Sequence, residues 1–232
     1  MKIVTIHQPE HLSYLGLFHK ISMCDTLVLL DNVQYEKNYF QNRNRINTKD
    51  GEKYITVPVT NTKGLISEVK IVDNYFNVQC KKNAKTIEAA YSKCPYWKKY
   101  GEDFLNTYQF SMCKYLANYN RTLLNWVLDV LGIDVKIYLA SELAAEGHKT
   151  DLLVDICRRV GADKYIAGKS GRDYLELEKF AIPVEFQNFV HPIYTQYGKT
   201  EFTPYMSVID AIFNVGPEIM NIINTINHGT KK

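Results

Sequence analysis

The chain opens with a strand-length apolar run, a short helical pattern and a second strand-length run, and this order restricts the fold more than any other feature. Lys2 to Ile6 and Thr26 to Asp31 are rich in β-branched residues, and Tyr14 to Met23 between them carries Leu15, Phe18 and Ile21 at helical spacing. Two strands joined through a helix lie parallel in one sheet, and a parallel sheet gathers its ligand-binding loops at the strand carboxyl ends. The expectation is an α/β fold with an open, mostly parallel, Rossmann-like sheet.

Later segments extend the pattern. Lys53 to Val59 and Ile66 to Val72, separated by a polar turn with Gly64, read as a hairpin, and Pro58 suits an edge strand. Residues from about 75 to 132 read as a helical insertion, with Leu116, Leu123, Trp126, Val127 and Val130 forming an apolar stripe that Gly132 ends. A second α/β stretch follows, with strands at Val135 to Leu139, Lys164 to Ala167 and Val184 to Phe186 and a helix at Asp151 to Val160. Near the end, Ser207 stands three residues before Asp210 like the start of a capping box, and Gly216-Pro217 marks a stop followed by a new first turn. With no repeat or linker, residues 1–232 read as a single domain.

Composition narrows the class. At 46% hydrophobic residues the chain is not a disordered or fibrous one. A formal charge of +3 is too small for a nucleic-acid coat, though not for a local basic site. The five cysteines are scattered and form no CxxC pair, which is reduced, cytosolic usage without a zinc framework. The start has only a brief apolar run, and no window nears 18 apolar residues, so the expectation is a cytoplasmic protein with no membrane insertion.

Three polar clusters could carry chemistry. The first strand runs into His7-Gln8-Pro9 at the sheet's carboxyl edge, where an imidazole can meet a ligand; the plainer reading is that His7 only closes the strand. His7 and His11 are four apart, but Pro9 intervenes and no third ligand follows, so no metal site is expected. Asp31 ends the second strand, and the connection after it holds Asn32, Gln34, Lys37, Asn42, Arg43, Asn44 and Arg45. A solvated loop would favour Ser, Gly and acids, whereas planar amides and guanidiniums suit an anion or a sugar. Gly168-Lys169-Ser170-Gly171, after the strand Lys164 to Ala167, allows backbone N–H groups and an ammonium to approach a phosphate, although it is not a Walker A loop. Lys81, Lys82, Lys85, Lys93, Lys98 and Lys99, interleaved with Tyr91, Tyr96, Trp97 and Tyr100, read as a solvated helical face, with a polyanion such as RNA as the alternative partner.

Several stretches resemble the WbqC-like family. They are HQPEHLSYLGLFHKI at His7 to Ile21, LDNVQYEKNYFQNRNRI at Leu30 to Ile46 and VPV at Val57 to Val59. TDLLVDICRRVGADKYIAGKSGRDYL at Thr150 to Leu175, HPIYTQ and FTPYMSVIDAIFNVGP continue the match. The chain departs at His11, where the family pattern has Tyr, and at Ser13, where it has Pro. The characteristic positions fall on His7, Gln8, Asp31, Gln34, Asn42, Arg43, Lys169, Ser170, Gly171, Tyr194, Ser207, Asp210 and Asn214. The family is similar to proteins encoded with bacterial O-antigen and other surface-polysaccharide enzymes, and glycine transfer to an amino sugar has been suggested for some members.

The resemblance therefore implies an amide-forming acyl or aminoacyl transferase acting on an amino sugar, with nucleotide linkage the expected form. Such chemistry needs a base, oxyanion donors and a diphosphate cradle. His7 and Asp31 are the candidate catalytic residues. Gln8, Gln34, Asn42, Arg43 and Tyr194 are candidate substrate contacts, and Lys169, Ser170 and Gly171 the candidate cradle. No tightly bound cofactor is expected. The glycine arrives activated, as an adenylate made from ATP or on a carrier such as tRNA or a thioester, and the sequence does not choose. Two other classes stay open. One is an ATP-dependent adenylating ligase or nucleotidylyl transferase, although HQPEH lacks the HxGH spacing of such enzymes; the other is a non-catalytic sugar- or RNA-binding module.

Overall fold

The computed structural model describes residues 1–109 and 113–228. In chain order the strands are β1 (Ile3–His7), β2 (Thr26–Leu29), β3 (Arg43–Thr48), β4 (Gly51–Thr56), β5 (Lys136–Leu139), β6 (Lys164–Ala167) and β7 (Val184–Phe186). The helices are α1 (Leu15–Ser22), α2 (Gln79–Tyr91), α3 (Trp97–Gln109), α4 (Leu116–Leu131), α5 (Thr150–Arg159), α6 (Val208–Val215) and α7 (Ile219–His228).

The opening strand, helix and strand form as the pattern requires, and β1 and β2 pair in parallel with His7 opposite Leu29. They belong to a five-stranded sheet in the order β5-β2-β1-β6-β7, in which every pairing is parallel. Side chains alternate across its two faces, as a pleated strand dictates. Leu27 and Leu29 face a core built with α1, the central helices and the C-terminal helices, while Val4, Ile6 and Val28 face a second core under α5. Because both faces are covered, the strands are continuous apolar runs rather than half-polar ones.

The strand order reverses at β1. From there the chain builds outward through β2 to β5 on one side and through β6 to β7 on the other, so the β1 and β6 exits flank a topological switch point. Thr5 Oγ1 locks these two strands by donating to Ile166 O at 2.9 Å in the core.

The hairpin forms one element earlier than the apolar pattern indicates, and as a sheet of its own rather than at the edge of the large one. β3 pairs antiparallel with β4, from Arg43 opposite Thr56 to Thr48 opposite Gly51. Residues 66–68 are instead a short 3-10 turn, and the two expected strands meet at one isolated bridge, Val59 with Ile71, while Leu65 and Lys70 bridge to Gln34 and Tyr115. Arg43, Asn44 and Arg45 consequently sit on a strand, not in a loop. Helices α2, α3 and α4 do occupy most of the described residues of the expected insertion, whose residues 110–112 lie outside the description, and Gly132 ends α4 with φ of +67°, the left-handed conformation that glycine adopts without a Cβ clash. Ser207 does precede α6, but its hydroxyl is buried without a hydrogen bond instead of capping the helix. Its backbone is committed elsewhere, donating to Arg45 O and bridging to Tyr14.

Candidate functional site

His7 is the last residue of β1, and the turn after it folds straight back into α1. In that turn Leu12 takes φ of +47°, and its carbonyl accepts from the Asn44 side chain of β3 at 2.8 Å. The compact turn brings three more polar side chains onto His7. Lys20, from the last turn of α1, places Nζ 3.2 Å from His7 Nδ1 and 3.2 Å from Ile6 O. Glu10 Oε1 lies 3.3 Å from His7 Nε2, an ion-pair distance without hydrogen-bond alignment, and Ser13 Oγ donates to Glu10 Oε2. The result is a chain of polar groups, Lys20–His7–Glu10–Ser13.

Burial tunes these groups against one another. Lys20 is 3% exposed, and removal from water pushes its ammonium down to about 8 despite the nearby Cys24 and Glu10, which act the other way. Burial and the Lys20 charge lower the His7 imidazole, with Glu10 opposing. Burial alone would raise the Glu10 carboxyl, but His7, Ser13 and Lys20 hold it below the usual value. With the ammonium charged, His7 Nδ1 accepts from Lys20 and Nε2 carries the hydrogen toward Glu10. The chain reaches the surface in part: the side chains of His7 and Glu10 are 26% and 11% exposed, while His7 Nε2 itself is buried.

The segment between β2 and β3 lies against the same turn. Phe40 O accepts from the His11 N–H at 2.9 Å, and Gln41 Nε2 donates to Gln8 Oε1 at 2.7 Å. That bond fixes the Gln8 amide and leaves its NH2 end available to a ligand. Asn120 of α4 clamps both segments, donating to Gln41 O and Pro9 O while its Oδ1 lies 3.2 Å from His11 Nδ1. His11 is fully buried among Tyr108 and Tyr119, and burial takes its imidazole down to about 4. It packs the turn from beneath, away from ligands.

The remaining sequence candidates separate. Both carboxylate oxygens of Asp31 are taken by the backbone N–H and hydroxyl of Ser141, at 2.8 and 2.6 Å, which straps the exits of β2 and β5 together. Gln34 donates to Gly64 O at 3.0 Å and is exposed. Asn42 donates to Val57 O from a buried position, with Oδ1 unpaired. Arg43 lays its guanidinium 4.6 Å from the Tyr54 ring centre and donates to Asn38 O at 2.5 Å. Lys169 and Ser170 are exposed where β6 ends, beside the β1 exit and at the same sheet edge. Gly171 turns its N–H back to Gly168 O, and a Cβ there would crowd Leu175 and Phe186, so its smallness serves packing. Tyr194 is buried in another cluster, where its hydroxyl, that of Tyr91 and the Gln196 amide all donate to Asp210. The basic stretch has its lysines in water, whereas Tyr91 is in the core.

Sequence reasoning missed Glu10, Ser13, Lys20 and Gln41. No motif or spacing marks Lys20; the only signal is its position one helix length behind a histidine-ended strand.

With this geometry in view, the chain belongs to the WbqC-like protein family, whose model matches residues 8–222. A relative in Mycobacterium tuberculosis (strain ATCC 25618 / H37Rv), the uncharacterized protein Rv1507c, is 30% identical over 223 residues, covering 94% of this chain and 96% of the relative. No solved structure matches the chain. Among the described residues, no helix is long and apolar enough to cross a membrane, and no three His, Cys, Asp or Glu side chains cluster as a metal site would require.

Proposed function

We propose that this protein transfers an activated acyl group, glycyl in the first instance, to the amine of a nucleotide-linked amino sugar, in the assembly of a bacterial surface polysaccharide. Acylating an amine forms a C–N bond while the donor's acyl–oxygen or acyl–sulfur bond breaks, releasing AMP, the tRNA or a thiol according to the donor, and the nitrogen loses a proton as the bond forms. The observation that carries the reading is His7, held between Lys20 and Glu10 at the carboxyl edge of a parallel sheet.

These groups make a relay when Lys20 is neutral, a form that is a minor fraction at pH 7 and grows to about half near pH 8, because its ammonium is held at about 8. The proton leaving the amine goes to Glu10 Oε1, Glu10 passes one to His7 Nε2, and His7 gives its Nδ1 proton to Lys20 Nζ. No charge accumulates on the imidazole. Gln8, its orientation set by Gln41, offers N–H groups to the developing oxyanion. Lys169 and Ser170, exposed at the neighbouring strand exit, would meet the diphosphate. Asp31 has a holding role in this scheme, through Ser141.

The test is mass spectrometry of nucleotide-linked amino sugars incubated with the protein, glycine and ATP, with and without charged tRNA. The expected result is a gain of one glycyl residue in one of the two conditions, which also identifies the donor. Sugars unchanged in both conditions and with glycyl thioesters would refute the transfer reading.

A further inference from the structure

Two tyrosines that the relay does not use, Tyr14 and Tyr39, feel the charge of the Glu10 carboxylate, and Tyr205 joins them through its ring contact with Tyr14. The Tyr14 ring lies 6.2 Å from that of Tyr205 and 6.1 Å from that of Phe189, centre to centre, and Tyr205 meets His191 edge-on at 5.0 Å. Tyr39 packs edge-on against Phe40 at 5.2 Å. Glu10 is close enough that its charge, after burial, raises the phenols of both Tyr14 and Tyr39.

Two of these rings are kept open to water. Tyr39 is 43% and Tyr205 53% exposed. Their presentation is also built. Asn38, before Tyr39, has φ of +64°, and Tyr205 itself has φ of +58°, a left-handed conformation that a bulky residue rarely adopts and that persists only where neighbours impose it. The neighbours are two arginines spaced two apart, on one face of β3. Arg43 donates to Asn38 O at 2.5 Å and Arg45 to Tyr205 O at 3.3 Å, while the Tyr205 N–H donates to His191 Nε2 at 3.2 Å. Each arginine thus holds the backbone that presents one exposed tyrosine.

Aromatic faces around a carboxylate attract a cation, through the ring quadrupole and through charge. We propose that Glu10 and the exposed faces of Tyr39 and Tyr205 form a binding site for a primary ammonium carried on a ring with an apolar face. The inference rests on the acyl-transfer reading only for the fate of that amine, and it names the chemistry by which the acceptor is chosen. The ammonium would arrive beside the first acceptor of the relay, and the tyrosines would exclude an acylated product that no longer carries charge.

Calorimetry at pH 6.5, where such amines are charged, tests the site directly. The probes are UDP-linked 2-amino and 4-amino hexoses, each against its hydroxyl and its N-acetyl counterpart. At least one amine should bind about tenfold or more tightly than both counterparts, a difference of about 1.4 kcal/mol. Glu10→Gln should erase that preference. Tyr39→Leu, at an exposed position where the fold is not at stake, should weaken amine binding about threefold or more and leave the N-acetyl sugar unchanged. Equal binding of amines and N-acetyl sugars would overturn the site, and if glycyl transfer still occurred, the transfer reading would stand without it. Amine-selective binding with no transfer from any glycyl donor would keep the site and sink the transfer.

Discussion

Burying the Lys20 ammonium costs free energy that an apolar side chain would not cost, and the native state accepts that cost beside His7 and Ile6 O. Lys20→Met should hold stability at pH 7 to within about 1 kcal/mol in urea denaturation, because relief of the buried charge offsets the lost hydrogen bonds. The same variant should lose the rise in turnover through pH 8, the titration that Lys20 sets. A large loss of stability with an unchanged pH profile would make Lys20 a purely structural residue. His11 affects stability differently. Its imidazole titrates near 6.5 unfolded and at about 4 when folded, so the unfolded chain takes up the proton first. Its contribution is fully present above pH 6.5 and declines as pH falls toward 4, by about 1.4 kcal/mol per pH unit. His11→Phe should reduce the stability difference between pH 7 and pH 4.5 by about 2 kcal/mol; an unchanged difference would show that His11 is not the group responsible.

Helix α1 sets the geometry of the site through Gly16. A Cβ at that position would overlap the Tyr14 ring, which lies beside Glu10. Gly16→Ala favours the helix intrinsically by about 1 kcal/mol, yet it must swing Tyr14 away. The expected outcome is a melting temperature no lower than wild type with amine binding weakened several-fold. Intact binding would free Tyr14 of any part in the site. The same stretch of chain explains which elements the sequence disclosed. β6 and β7 lie where their short runs predict, β6 as a largely buried apolar strand and β7 as the edge strand with Glu185 exposed. β3 escaped because its inward positions include Asn44 and Asn47, whose amides bond to Leu12 O and Gln196 Oε1, so no apolar alternation marks it. Its true partner β4 was then assigned to the next apolar run.

The parallel sheet was legible from the first 31 residues, and with it the edge at which His7 and Lys169 leave neighbouring strands. The partners of His7 were not, because they are ordinary residue types whose chemistry comes from burial. No motif or spacing marks Glu10, Ser13 or Lys20 as its partners. Likewise Asp31 lies at the expected sheet edge but is engaged by Ser141, more than a hundred residues away, and Tyr194 lies apart from the site, engaged by Asp210 in a cluster of its own. A long-range hydrogen bond leaves no mark in a single sequence. The proton route is most directly examined by the pH–rate profile of glycyl transfer for wild type and His7→Gln. In the relay the imidazole carries the proton between Glu10 and Lys20, so the variant should fold, bind the sugar with near-normal affinity, turn over roughly 100-fold more slowly or worse, and lose the limb that rises through about pH 8. A His7→Gln protein that keeps that limb at full rate would contradict the relay.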